Sequence, residues 1–151
     1  MIYCIDVNNK ERLDCISIAK NFVDWEDQIA SDRYSDAFNY EVLSLIVLVN
    51  NGSPIGYCSY FVEVREDIYD PEKKYINYLI DYVFIKEKYR GYKYSNLLLE
   101  HIKNCVSGNL AKDINYFLNS SDYASKEGNL FGLKIDFHLK NKGLMCFCND
   151  N

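Results

Sequence analysis

The chain has 151 residues, of which 48% are hydrophobic and 26% charged, the profile of one globular domain with a real core. Its formal net charge of −5 argues against nucleic acid as a main partner, since such proteins carry a basic face. No apolar run approaches the ~18 residues that span a membrane, and the N-terminus lacks the basic and apolar regions of a signal peptide, so a soluble chain is expected.

Residues 2–7 read as a first strand, and Leu13, Ile16, Ala19 and Val23 follow with the spacing of a helix over residues 11–21. Residues 25–38 are acidic and mixed, with Trp25, Ile29, Tyr34, Ala37 and Phe38 forming one helical face or a loop and helix. Residues 43–49 are strand-like, Asn50-Asn51-Gly52-Ser53 marks a hairpin, and residues 55–64 alternate as the returning strand. A polar loop over residues 65–74 leads to a further strand at residues 75–85. A short charged turn then opens a helix over residues 92–106, which Ser107-Gly108 ends. Residues 114–118 read as a strand and residues 122–132 as a helix capped by Asp122. Residues 135–139 and 144–148 read as a terminal hairpin across Asn141-Lys142-Gly143.

Six cysteines are present: Cys4, Cys15, Cys58, Cys105, Cys146 and Cys148. None forms a Cys-x-x-Cys pair, and with His101 and His138 the only histidines no zinc spacing arises, so no metal is expected. Most of the cysteines sit in apolar runs, which reads as reduced core thiols and suits the cytoplasm. His101 and Cys105 lie one helical turn apart, but on an apolar helix face that reads as core rather than as a nucleophile and its base.

The most informative stretch joins the strand at residues 75–85 to the following helix through Tyr89-Arg90-Gly91-Tyr92-Lys93-Tyr94-Ser95-Asn96. A buried strand that turns through Arg-Gly into a helix start offers unpaired amides and positive potential to an anion. Tyr89-Arg90-Gly91 and Leu97-Leu98-Leu99 resemble the cofactor motif of the GNAT superfamily of acetyl-coenzyme A-dependent N-acetyltransferases. The motif reads Arg or Gln, two residues, Gly, one residue, then Gly or Ala, and here Lys93 and Ser95 stand at the two small positions. The element order β-α-α-β-β-β-α-β-α-β-β matches that fold along nearly the whole chain.

The resemblance implies an α/β (α+β) domain spanning residues 1–151, with a mixed, mostly antiparallel sheet of six to seven strands flanked by about four helices. It implies acetyl-coenzyme A as cosubstrate and transfer of acetyl to a primary amine. The amides of Arg90, Gly91, Tyr92, Lys93, Tyr94, Ser95 and Asn96 would then cradle the pyrophosphate, and the backbones of Phe84 and Ile85 would pair with the pantetheine arm. Lys93, where the family has glycine, either adds its ammonium to the phosphate site or marks weakened cofactor binding. Asn119 falls where the family contacts the pantetheine arm or caps a helix.

Direct transfer needs a neutral amine, whose free pKa of ~10.4 calls for a base or a desolvating pocket. Asp81 is the candidate base, because it interrupts an apolar strand and a carboxylate there must be paired or face a cleft. The competing reading pairs Asp81 with Arg90, Lys86 or a helix end. Glu63 on the preceding strand is a second candidate. The family's acid is a tyrosine after the fifth strand, for which Tyr123 is the nearest substitute, with simple packing as its alternative. The missing tyrosine and Lys93 also fit a GNAT-shaped module that binds coenzyme A or a protein without turnover. Asp24, Glu26, Asp27, Glu66, Asp67 and Asp70 lie in the segments that set the acceptor in this fold and favour a cationic amine, although solvation explains them equally. Homodimers are common in the family.

Overall fold

In a computed structural model of the protein, the described residues are 1–7, 23–39, 42–110, 113–121 and 126–147. The helix expected over residues 11–21 lies outside them. Among the described residues, six strands run in the order β1 (Ile2–Asp6), β2 (Ser44–Asn50), β3 (Ser53–Glu66), β4 (Lys74–Ile85), β5 (Ile114–Asn119) and β6 (Met145–Cys146) across one sheet. Helix α1 (Gln28–Asn39) precedes β2, α2 (Ser95–Ser107) joins β4 to β5, and α3 (Lys126–Asn141) joins β5 to β6. The first three pairings are antiparallel, and those of β4 with β5 and of β5 with β6 are parallel. The mixed, mostly antiparallel sheet expected from the sequence is therefore present.

Leu45, Ile46, Leu48 and their neighbours explain the layering. Residues 45–49 of β2 are all buried, the mark of a strand covered on both faces. Leu45, Val47 and Val49 meet Trp25, Ala30, Tyr34 and Ala37 on the α1 side. Ile46 and Leu48 belong to the larger core with Leu98, Ile102 and Val106 of α2 and Phe131, Ile135 and Leu139 of α3. Asp27 starts α1 by accepting the Ala30 N–H on its side chain at 3.1 Å, the N-cap arrangement. The β2–β3 hairpin turns on Asn51 and Gly52, both at positive φ (49° and 84°), as a two-residue loop with this sequence requires.

The terminal hairpin expected at residues 135–139 and 144–148 is not formed. Ile135 to Leu139 belong to α3, which runs on through Gly132 to Asn141. Ile135-Asp136-Phe137-His138-Leu139 alternates like a strand, yet Phe131, Ile135 and Leu139 also recur every four residues, and all three are buried. Asn141-Lys142-Gly143 is the helix end rather than a hairpin turn. Gly143 has φ +91°, its N–H donates to the Lys140 carbonyl at 3.0 Å, and the Leu144 N–H reaches back to the Leu139 carbonyl at 3.2 Å. That is a Schellman motif, with Leu139 and Leu144 buried together in the core. β6 consequently returns parallel to β5.

Cys4, Cys58 and Cys105 are free thiols, and burial pushes that of Cys4 up to about 11. Reduced thiols describe these three, but Cys146, half-buried on the edge strand β6, is disulfide-bonded. No helix among the described residues is long and apolar enough to cross a membrane.

Gly56 fixes how closely β3 approaches the end of β4. A Cβ there would stand 2.8 Å from the Phe84 carbonyl oxygen and 2.5 Å from Ile85 Cδ1. The side-chain atom can turn away, but the ladder oxygen cannot. Gly56→Ala is expected to cost about 1–3 kcal/mol in urea unfolding, the usual penalty of overpacking; a loss within error of zero would show that the strand end is free to shift.

Candidate functional site

The site begins where β4 loses a partner. β5 pairs with β4 from Lys74 to Tyr78 and no further. Two last links follow, the Ser120 N–H to the Tyr78 carbonyl and the Ile80 N–H to Ser121 Oγ, both 2.8 Å. Beyond them the two strands part, while β3 stays paired with β4 up to Ile85. Helix α3 is pinned at the last paired rung by the Tyr78 hydroxyl, which lies 3.1 Å from the Gly132 carbonyl and also bonds the Asp136 carboxylate.

Within β4 the register against β3 slips by one, so that Ser59 faces Tyr82, Tyr60 faces Ile80 and Asp81 has no partner. Such a bulge reverses the alternation of side chains and of backbone groups. Past it, the Lys86 N–H donates to the Ile55 carbonyl across to β3. Counting back, Phe84 also turns its backbone to β3, whereas Ile85 and Val83 turn theirs to the open edge. Of the two residues assigned to backbone pairing, Ile85 lies on the open edge, and Val83 accompanies it. The Ile85 carbonyl already accepts the Arg90 Nε–H at 2.7 Å, and the Arg90 guanidinium covers the Phe84 ring at 5.3 Å.

A 3-10 turn over Glu87–Tyr89 then leads to α2. Gly91 and Lys93 both have positive φ, 85° and 62°, and Tyr94 returns to the right-handed helical region. Successive residues of opposite hand turn their N–H groups into one concavity that suits an anion. Arg90 N–H donates to the Glu87 carbonyl and Asn96 N–H to the Lys93 carbonyl, each at 3.1 Å. Between them, the N–H groups of Gly91, Tyr92, Lys93, Tyr94 and Ser95 have no acceptor among the described residues. Of the seven amides named from the sequence, those of Arg90 and Asn96 are thus engaged within the chain. Lys93 keeps the backbone path that a glycine would take without strain.

A cleft of about 410 Å³ joins these parts. The open edge of β4 from Tyr82 to Ile85 forms one wall, the turn a second, and Leu130, Phe131 and Lys134 of α3 a third. Arg90, Lys93 and Lys134 bring three cations to it against the carboxylate of Asp27. In a chain of net charge −5, that local excess suits a polyanion.

Asp81 lies on the α1 face of β4 and is paired, though not with any residue anticipated. Its Oδ1 is 3.0 Å from Nη1 of Arg33 on α1, and its Oδ2 accepts the Ser59 hydroxyl at 2.8 Å. Glu63 is engaged by Arg65 at 2.8 Å and by Asn77 at 3.3 Å, away from the cleft. Asn119 accepts the Ser121 N–H at 3.0 Å and donates to Asp136 at 3.4 Å, so it shapes the end of β5 and ties it to α3. Tyr123 lies outside the described residues. Cys105 accepts a hydrogen bond from the Tyr60 hydroxyl at 3.4 Å, in keeping with its reading as core. Arg33, Ser59 and Lys134 come from three different elements, and no local pattern in the sequence joins them to β4.

No family model matches the sequence, and no curated protein is similar to it. Among solved structures, the chain is similar to AtaT complexed with acetyl-methionyl-tRNAfMet, with a TM-score of 0.59, 14% identity and coverage of 100% of this chain and 91% of that one. It is similar to a ribosomal-protein-alanine N-acetyltransferase from Brucella melitensis biovar Abortus 2308, with a TM-score of 0.51, 7% identity and coverage of 89% of each chain. A chain of the KacTA–DNA complex is matched with a TM-score of 0.56, 12% identity and coverage of 89% and 83%. The chain has the GNAT fold. At these identities the likeness is one of backbone path. In the GNAT fold the turn after β4 is the segment that the motif resemblance assigns to pyrophosphate, and here that turn carries the open amides.

A left-handed conformation costs a residue with a Cβ about 1–2 kcal/mol, and glycine adds entropy to the unfolded chain worth about half of that. Lys93→Gly is therefore expected to stabilise the fold by about 0.5–1 kcal/mol in urea unfolding with an unchanged slope. A loss of stability would show that the Lys93 side chain holds the turn.

Proposed function

We propose that the protein transfers an acetyl group from acetyl-coenzyme A to a primary amine. The observation that carries this reading is the run of five open amides, Gly91 to Ser95, at the end of a half-paired strand and at the mouth of a cleft lined by three cations. These amides, with Arg90 and Lys93, would hold the pyrophosphate, and the open backbone of Val83 and Ile85 would accept the pantetheine arm. Acetyl-coenzyme A supplies a thioester carbonyl to the incoming amine.

The chain's residues divide the remaining work. Asp81, on the α1 face just where β4 leaves β5, takes the proton of the amine, directly or through water. The Val83 N–H, on the open edge, would meet the negative charge that develops on the carbonyl oxygen. Tyr123 is proposed as the acid that protonates the departing thiolate. That thiolate is a good leaving group even without it.

One observation favours a second reading, a GNAT-shaped module that binds coenzyme A without turnover. Arg90 occupies the Ile85 carbonyl that the pantetheine arm would use. Calorimetric titration with acetyl-coenzyme A, followed by thiol release over a panel of amines, separates the two. Transfer is expected, with Asp81→Asn lowering turnover at least about 100-fold while cofactor affinity stays within about threefold. Micromolar binding with no thiol release on any amine would favour the silent module. No binding at millimolar cofactor would sink both.

A further inference from the structure

The bulge at Asp81 sets two consecutive side chains, Asp81 and Tyr82, on the α1 face, where plain alternation would set one. Arg33, in the middle of α1, occupies the space they frame. Its Nη1 lies 3.0 Å from Asp81 Oδ1, and its Cζ lies 5.9 Å from the centre of the Tyr82 ring. Ser59 holds the second carboxylate oxygen at 2.8 Å. A carboxylate fixed by a hydroxyl and flanked by an aromatic face is a receptor for a cation.

The occupant is more loosely set than the receptor. The Arg33 side chain is 42% exposed and that of Asp81 16%. Ion pairs with one partner in solvent hold weakly, and a long side chain regains rotamer freedom when released. Tyr82 also lines the cleft along the open edge of β4. The receptor and the proposed cofactor site therefore meet at Tyr82.

We infer that this receptor is the acceptor site, that it takes a cationic alkyl amine, and that Arg33 is a placeholder the substrate displaces. The inference rests on the acetyl-transfer reading and names its substrate class. The ammonium enters beside Asp81 and gives it one proton, which passes to solvent. The freed nitrogen forms the N–C bond as the C–S bond breaks, and its second proton leaves with the thiolate to give the free thiol. An acceptor whose amine is flanked by a carboxylate gains nothing at Asp81 and leaves Arg33 in place.

Spermidine is a suitable probe, titrated calorimetrically into the parent chain and into Arg33→Met, Arg33→Lys and Asp81→Asn variants, with and without coenzyme A. Arg33→Met is expected to bind it about twofold to fivefold more tightly than the parent, the range set by loss of one weak competing pair. Arg33→Lys should bind as the parent does, and Asp81→Asn at least about tenfold more weakly. Thermal melting of each variant shows whether it is folded. Unchanged or weaker binding by a folded Arg33→Met chain would make Arg33 a tether between α1 and β4 and overturn the inference. So would unchanged binding by Asp81→Asn, or no binding by any chain. Failure of the parent to bind acetyl-coenzyme A would sink the transferase reading and with it the acceptor role, whereas spermidine binding without cofactor, read separately, decides whether Asp81 and Tyr82 form a cation receptor.

Discussion

The structure depends on the mismatch between β4, which is 12 residues long, and β5, which is six. A strand in the middle of a sheet must satisfy its backbone on both sides or leave polar groups for something else to meet. On one side β3 follows β4 to its end, and the close approach at Gly56 locks that pairing. On the other side β5 stops at Asn119, and the groups beyond find makeshift partners, Ser121 Oγ for the Ile80 N–H and Arg90 Nε for the Ile85 carbonyl. Val83, between them, is left facing the gap. The gap stays open because α3 is held across the lower, paired half by the knot of Tyr78, Gly132, Asp136 and Asn119.

Much of this was legible in the sequence where one local rule governs. Asn51-Gly52 specifies a tight hairpin by itself, and the unbroken run Leu45 to Val49 specifies a strand buried on both faces. The strand, turn and helix around Arg90 were legible for the same reason, as a long apolar strand, Gly91 where φ must be positive, then leucines at helical spacing. Residues 135–139 defeated the reading because two periods fit them at once, and Gly132 looked like a stop although the helix runs through it. Its carbonyl is needed by Tyr78, and that requirement is invisible until β4 and α3 are placed together.

The candidate site divides along the same line. The run of open amides is a property of consecutive residues, and the strand-turn-helix that carries it could be read. The pairing of Asp81 could not, because it follows from a register slip opposite Ser59 and Tyr60, and register belongs to two strands rather than one. An Asp within an apolar strand announces that it needs a partner, but it does not say from which element the partner comes. Arg33 lies 48 residues earlier in the chain. The cations of the cleft show the same limit, since Lys134 reaches it only through α3 being longer than expected.

Lys93 shows what a sequence motif measures. The family's glycine marks a backbone path, and the usual inference runs from the residue to the path. Here a lysine takes the left-handed path that glycine would take freely, so something other than glycine's freedom must impose it. The hydrogen bonds on either side of the turn supply that constraint. Arg90 is tied by its N–H to Glu87 and by its side chain to Ile85, and the Lys93 and Tyr94 carbonyls receive the Asn96 and Leu97 N–H groups at the helix start. With both ends fixed and Gly91 already turned, a left-handed Lys93 is the conformation by which the chain closes onto α2. A lysine tolerated there at a cost of about 1 kcal/mol is small against the stability of a domain, so the turn can hold a left-handed residue without glycine.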